Sequence, residues 1–112
     1  HTSDDNLEFI EIDSIIDAVS ACLKICETIE LNKVWKTTTP FGEPFFTRHN
    51  LAPTISTPTS TADQKLLARR WIMNQATGAN DLLAISERSG LELKTLSNEA
   101  IQLANAGLLR EV

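Results

Sequence analysis

The chain has 112 residues, enough for about one small domain with a modest core. Its formal net charge of −5 argues against a general binder of nucleic acid or of anionic membrane surfaces. The absence of a run of about 18 apolar residues argues against a membrane span. All of the imbalance lies in residues 1–61, where Lys24, Lys33, Lys36 and Arg48 face nine acidic groups.

The chain opens HTSDDNLEFIEI and then turns amphipathic. Ser14 with Asp17 approximates a capping box. Ile15, Ile16, Val19, Cys22, Leu23, Cys26 and Ile29, continued by Val34 and Trp35, mark a broad apolar stripe. The spacing predicts one helix from Ser14 to Trp35 that packs on a sheet or between helices. Cys22 and Cys26 share a helical face, and a disulfide within one turn fits disulfide geometry poorly. They read as two buried free thiols in a reducing, cytoplasmic setting.

From Thr37 to Thr61 the composition shifts. Pro40, Pro44, Pro53 and Pro58 break up the segment, and six of the eight residues from Thr54 to Thr61 are Ser or Thr. This is a connecting segment. Phe41, Phe45 and Phe46 either pin it to a domain surface or are incidental, and Glu43 to Arg48 fits a short strand.

The last part reads as three helices with a glycine at each turn. Thr61 and Gln64 fit a capping box, Asp63 suits the helix dipole, and Leu66, Leu67, Trp71 and Ile72 form the apolar face. Gly78 is placed to end that helix. Asn80 or Asp81 can cap a second helix that buries Leu82, Leu83 and Ile85 and stops at Gly90. Leu93, Leu96, Ala100, Leu103 and Ala104 define one face of a third, Gly107 ends it, and Leu108-Leu109 begin a strand. This is the pattern of a winged helix-turn-helix over residues 62–112. Its wing is expected to be truncated, because no residues follow Val112 to make a second wing strand.

Such modules commonly bind DNA. Here Lys65, Arg69, Arg70, Arg88, Lys94 and Arg110 are matched by Asp63, Asp81, Glu87, Glu92, Glu99 and Glu111, a net of zero. Duplex affinity comes mostly from phosphate neutralisation. The outer face of the third helix offers Lys94, Thr95, Asn98, Gln102 and Asn105. Asn and Gln can read adenine, but one Lys supplies little backbone attraction. A protein-contact role is therefore expected over a nucleic-acid one.

His1-Thr2-Ser3 with Asn6-Leu7, the long helix after it, the Gly42-Glu43-Pro44 turn and Asn74 through Gly78 carry a resemblance. So do Leu82 through Gly90 and the closing Gly107-Leu108-Leu109. Together they resemble the C-terminal part of bacterial zinc aminopeptidase-like proteins associated with polysaccharide biosynthesis. That family has a di-zinc metallopeptidase fold and ends in a winged helix. The family's linker is more basic after Glu-Pro, whereas Phe45-Phe46-Thr47 follow here.

The resemblance implies a mainly α chain. Residues 1–36 would be the end of an α/β peptidase-like domain, 37–61 a linker, and 62–112 the winged-helix module. It implies that His1 is the last ligand of a zinc ion, with a His-x-Asp motif, a Glu-Glu pair and a further Asp upstream. A metal held this way activates water for attack on a peptide-like carbonyl. This piece alone is then not catalytic, and zinc belongs to the parent protein only. The implied partners are the peptidase-like domain of the same chain and, through the apolar stripe, a second copy in a homo-oligomer. The alternative reading is a stand-alone DNA- or protein-binding module.

Overall fold

A computed structural model describes residues 11–40, 51 and 59–112, without the side chains of Thr59 and Thr61. His1, His49, the three Phe residues of the connecting segment and the strand expected at 43–48 lie outside the described residues. The chain divides into two compact units, His1–Glu30 and Leu31–Val112. Among the described residues, four helices and a small sheet make it mainly α, as expected.

The first unit is dominated by α1, Ile12–Leu31. Asp13 lies in its first turn, where a carboxylate suits the helix dipole. The helix stops four residues short of Trp35, and none of its residues is buried. Ile15, Ile16, Val19, Leu23 and Ile29 are all exposed. Cys22 and Cys26 are free and exposed in this chain, not buried as the stripe suggested.

Val34 and Trp35 are not helical. They open β1, Val34–Thr37, the central strand of a sheet ordered β2-β1-β3. A β-branched residue next to an aromatic one favours a pleated surface, and Trp35, only 7% exposed, enters the core there. The module therefore begins near residue 31 and not at residue 62. β3, Leu109–Glu111, runs antiparallel to β1 with Trp35 opposite Glu111 and Thr37 opposite Leu109. β1 thus occupies the place beside β3 that a second wing strand would fill.

After the connecting segment comes α2, Thr59–Gln75, which starts two residues before the expected capping box. Ala68, Ile72 and Ala76 face the core, while Leu67 is exposed. The chain then forms β2, Thr77–Asp81, antiparallel to β1. Gly78 sits inside this strand and does not end the helix. The β1–β2 register slips between Val34 and Lys36, and Gly78 takes the left-handed φ of 88° there. A Cβ at Gly78 would come 3.4 Å from Lys36 Cδ, an ordinary contact, so it is the backbone conformation that calls for glycine.

α3, Leu82–Ser89, and α4, Leu93–Asn105, complete the helix-turn-helix. Gly90 closes α3 at φ 74°, as its position predicts. Leu82, Ile85, Leu96, Ala100 and Leu103 are buried against Ile72, Trp35, Leu108 and Leu109 in one core. One charged pair lies inside it. Arg69 Nε donates to Glu99 Oε2 at 2.7 Å, with the two side chains 10% and 6% exposed. Arg69 Nη1 also donates to the Leu51 carbonyl. The pair ties α2 to α4 and brings residue 51 into the module. Removing one partner of such a pair strands a buried charge, at a cost of about 3–5 kcal/mol.

Candidate functional site

The candidate site is the outer face of α4 together with the turn that presents it. Three devices set its position. The Arg69–Glu99 pair holds α4 on α2. Ser86 Oγ donates to the Leu91 carbonyl at 2.6 Å and Leu91 N donates to Ser89 Oγ at 3.2 Å, which shapes the turn. The third device is the start of α3. Asp81 Oδ1 accepts from the Ala84 amide at 2.8 Å. Asn32 Oδ1 accepts from the Leu83 amide at 2.8 Å. The Lys33 carbonyl accepts from the Leu82 amide at 3.0 Å. All three leading amides of α3 are thus satisfied, where a helix start otherwise leaves donors free.

Asp81 is the cap, the second of the two residues that composition offered for it. The Ala84 amide holds its carboxyl below the ordinary value, and Asn32 Nδ2, donating to Asp81 Oδ2 at 3.1 Å, adds to this. Asn32 could not be found from sequence, because it lies 49 residues from Asp81.

Lys94, Asn98, Gln102 and Asn105 are exposed on α4 as the helical spacing implies, and Thr95 is half-buried. Between them lies Ile101, 47% exposed, which the sequence reading did not single out. A turn-by-turn count from Leu96 and Ala100 would have placed it outside the buried stripe. Glu99 points the other way and is spent on Arg69. Among the described residues, Lys94 is the one cation on the outer face of α4, and Glu92 stands exposed just before the helix. Lys33 Nζ and Glu111 Oε1 neutralise each other at 2.9 Å beside β3. The face is therefore mostly polar, with one cation and exposed Ile101 at its edge.

Among the described residues, no group of three or more His, Cys, Asp or Glu side chains converges on a position that could hold a metal ion. His1, the zinc ligand that the resemblance implies, lies outside them. Among the described residues, no third ligand joins Cys22 and Cys26. No described helix is long and apolar enough to cross a membrane.

The buried three-helix core, the glycine-closed turn and the strand after α4 define a winged helix-turn-helix. A winged helix-turn-helix family model matches residues 33–111, and the chain belongs to that family. The match begins one residue before β1, in agreement with the start of the compact unit.

Over all 112 residues the chain is 30% identical to a Clostridium acetobutylicum protein provisionally named a polysaccharide biosynthesis protein with an aminopeptidase-like domain. It aligns with the C-terminal part of that protein and covers 26% of it. A crystal structure of a protein from Clostridium acetobutylicum, provisionally described as a peptidase, superposes with a TM-score of 0.71 at 28% identity. That match takes in all of this chain and 23% of the solved one. The chain spans about a quarter of the length of either, and the resemblance read from the residues is borne out.

The Asp81 cap makes a pH prediction. Its folded pKa is depressed, so its contribution to stability is complete above about pH 4 and is lost as pH falls through the lower, folded value. Asp81→Ala should cost about 1 kcal/mol at neutral pH, the usual loss for an N-cap. Urea denaturation at pH 7 and pH 3 should show the gap between parent and variant shrinking in acid. A gap that stays constant, or grows, contradicts the assignment.

Proposed function

We propose that this chain is the C-terminal accessory part of a longer aminopeptidase-like protein, and that its α4 face contacts protein, not DNA. The observation that carries the second half is the makeup of that face. Exposed Ile101, flanked on that face by Asn98, Asn105 and Gln102, suits a protein surface that mixes apolar and polar groups. A single Lys94 cannot supply the phosphate contacts on which duplex affinity rests. The first half is supported by full coverage of this chain against the C-terminal part of a relative about four times as long. A stand-alone binding module is the second reading, favoured by the compactness of residues 31–112.

The experiment on the face is titration against random-sequence duplex at physiological salt. Binding should be weaker than about 10⁻⁶ M, at or below ordinary non-specific affinity. Tighter, steeply salt-dependent binding would refute the protein-contact reading.

In the longer protein, His1 would be the last ligand of a zinc site whose other ligands lie in the peptidase-like domain. Zinc there would activate a water for hydrolysis. His1→Ala should lower the zinc content of that longer protein, and an unchanged stoichiometry would remove His1 from the site. The 112-residue chain should hold no specific zinc, since one imidazole is not a site.

α1 would pack on the same peptidase-like domain. Its exposed Ile15, Ile16, Val19, Leu23 and Ile29 form an apolar face of the kind that marks an interaction surface. Cys22 and Cys26 report on it. Both thiols should label slowly in the longer protein. In this chain alone they should label fast, or else be protected in a dimer of doubled molar mass. A monomer of this chain with both thiols protected would contradict the reading.

A further inference from the structure

We propose that Asn32 and Lys33 form a latch that makes the order of α3 depend on the last turn of α1. The inference is independent of the function proposed above. The three leading amides of α3 take acceptors from Lys33, Asn32 and Asp81 in turn. Two of the three come from the pair of residues between Leu31, where α1 ends, and Val34, where β1 begins. The same Asn32 side chain donates to Asp81, so it also holds the third acceptor in place.

α3 has only eight residues, and a helix that short is marginal without help at its ends. β1 fixes the downstream side of the latch, because Val34 pairs with Asp81 and its carbonyl accepts from Val112 N at 2.9 Å. The upstream side is set by the backbone of α1 through the covalent chain. Only Asn32 and Lys33 join the two elements, and each spans at most about 3.6 Å, so the connection is short. When the last turn of α1 unwinds, the Asn32 side chain is free to leave its partners. The amides of Leu83 and Ala84 then lose their acceptor and its support. α3 leads into the turn that presents α4, so the latch links the state of α1 to the helix-turn-helix.

The test is amide hydrogen exchange by NMR on the full 112-residue chain. Asn32→Ala should raise the exchange rate at Leu83 roughly five- to tenfold, the loss expected for one amide hydrogen bond, with a smaller rise at Ala84. The Asp81 carboxyl, followed by its side-chain carbon shift, should titrate at a higher pH in this variant. Glu30→Gly, at an exposed position in the last turn of α1, should raise the Leu82–Ala84 rates by up to roughly fivefold, the factor set by glycine in a helix. Amides of Ala100 and Leu103 in α4 should be unchanged in both variants. If Glu30→Gly leaves the three α3 amides untouched, Asn32 is a local cap and the latch is refuted. Unchanged exchange at Leu83 in Asn32→Ala refutes it equally.

Discussion

The module depends on one strand being paired along both of its edges. Val34–Thr37 gives β2 and β3 their shared neighbour, and neither of those strands pairs with the other. Thr37 N donates to the Ala76 carbonyl at 2.8 Å on one side, and Thr38 N donates to the Leu108 carbonyl at 2.9 Å on the other. The ends of α2 and α4 are thereby drawn to the same strand. Trp35 on that strand is buried among the residues that the helices contribute. Without β1, two strands of three and five residues would have no partner, and isolated strands of that length do not persist.

The helix-turn-helix itself was legible in the residues. α4 follows from the spacing of Leu96, Ala100 and Leu103, and Gly90 and Asp81 mark the ends of α3 by local chemistry. What was not legible depends on contacts far apart in sequence. Val34 and Trp35 continue the apolar stripe of α1, and only their pairing with residues near 81 and 111 makes them a strand. Gly78 has the look of a helix stop because a left-handed glycine serves both a helix end and a strand irregularity. Arg69 and Glu99 appear in the sequence as ordinary surface charges, and their burial as a pair is visible only once α2 crosses α4. The metal position assigned to His1 falls outside the described residues.

The buried pair also decides how the α4 face meets its surroundings. From residue 62 to 112 the charges cancel, and over the whole compact unit from Leu31 nine Lys and Arg stand against seven Asp and Glu, yet the charges are not evenly spread. Glu99 is withdrawn into the interior with Arg69, and Glu111 is spent on Lys33. What α4 presents outward is Lys94 and amide side chains beside Ile101. On the protein-contact reading proposed above, contact with this surface would draw its free energy from apolar burial and hydrogen bonds more than from released counterions.

The pairing of Trp35 with Glu111 has a consequence for biosynthesis. A chain leaving the ribosome exposes its N-terminal segments first, and domains fold as their residues emerge. β1 appears early and can meet β2 once α2 is out, but its other edge stays open until residues 109–111 have cleared the tunnel. During that interval Val34–Thr37 offers unsatisfied backbone groups to any passing strand. Lys33 and Lys36 flank the exposed edge with positive charge, a residue type that discourages such pairing between nascent copies.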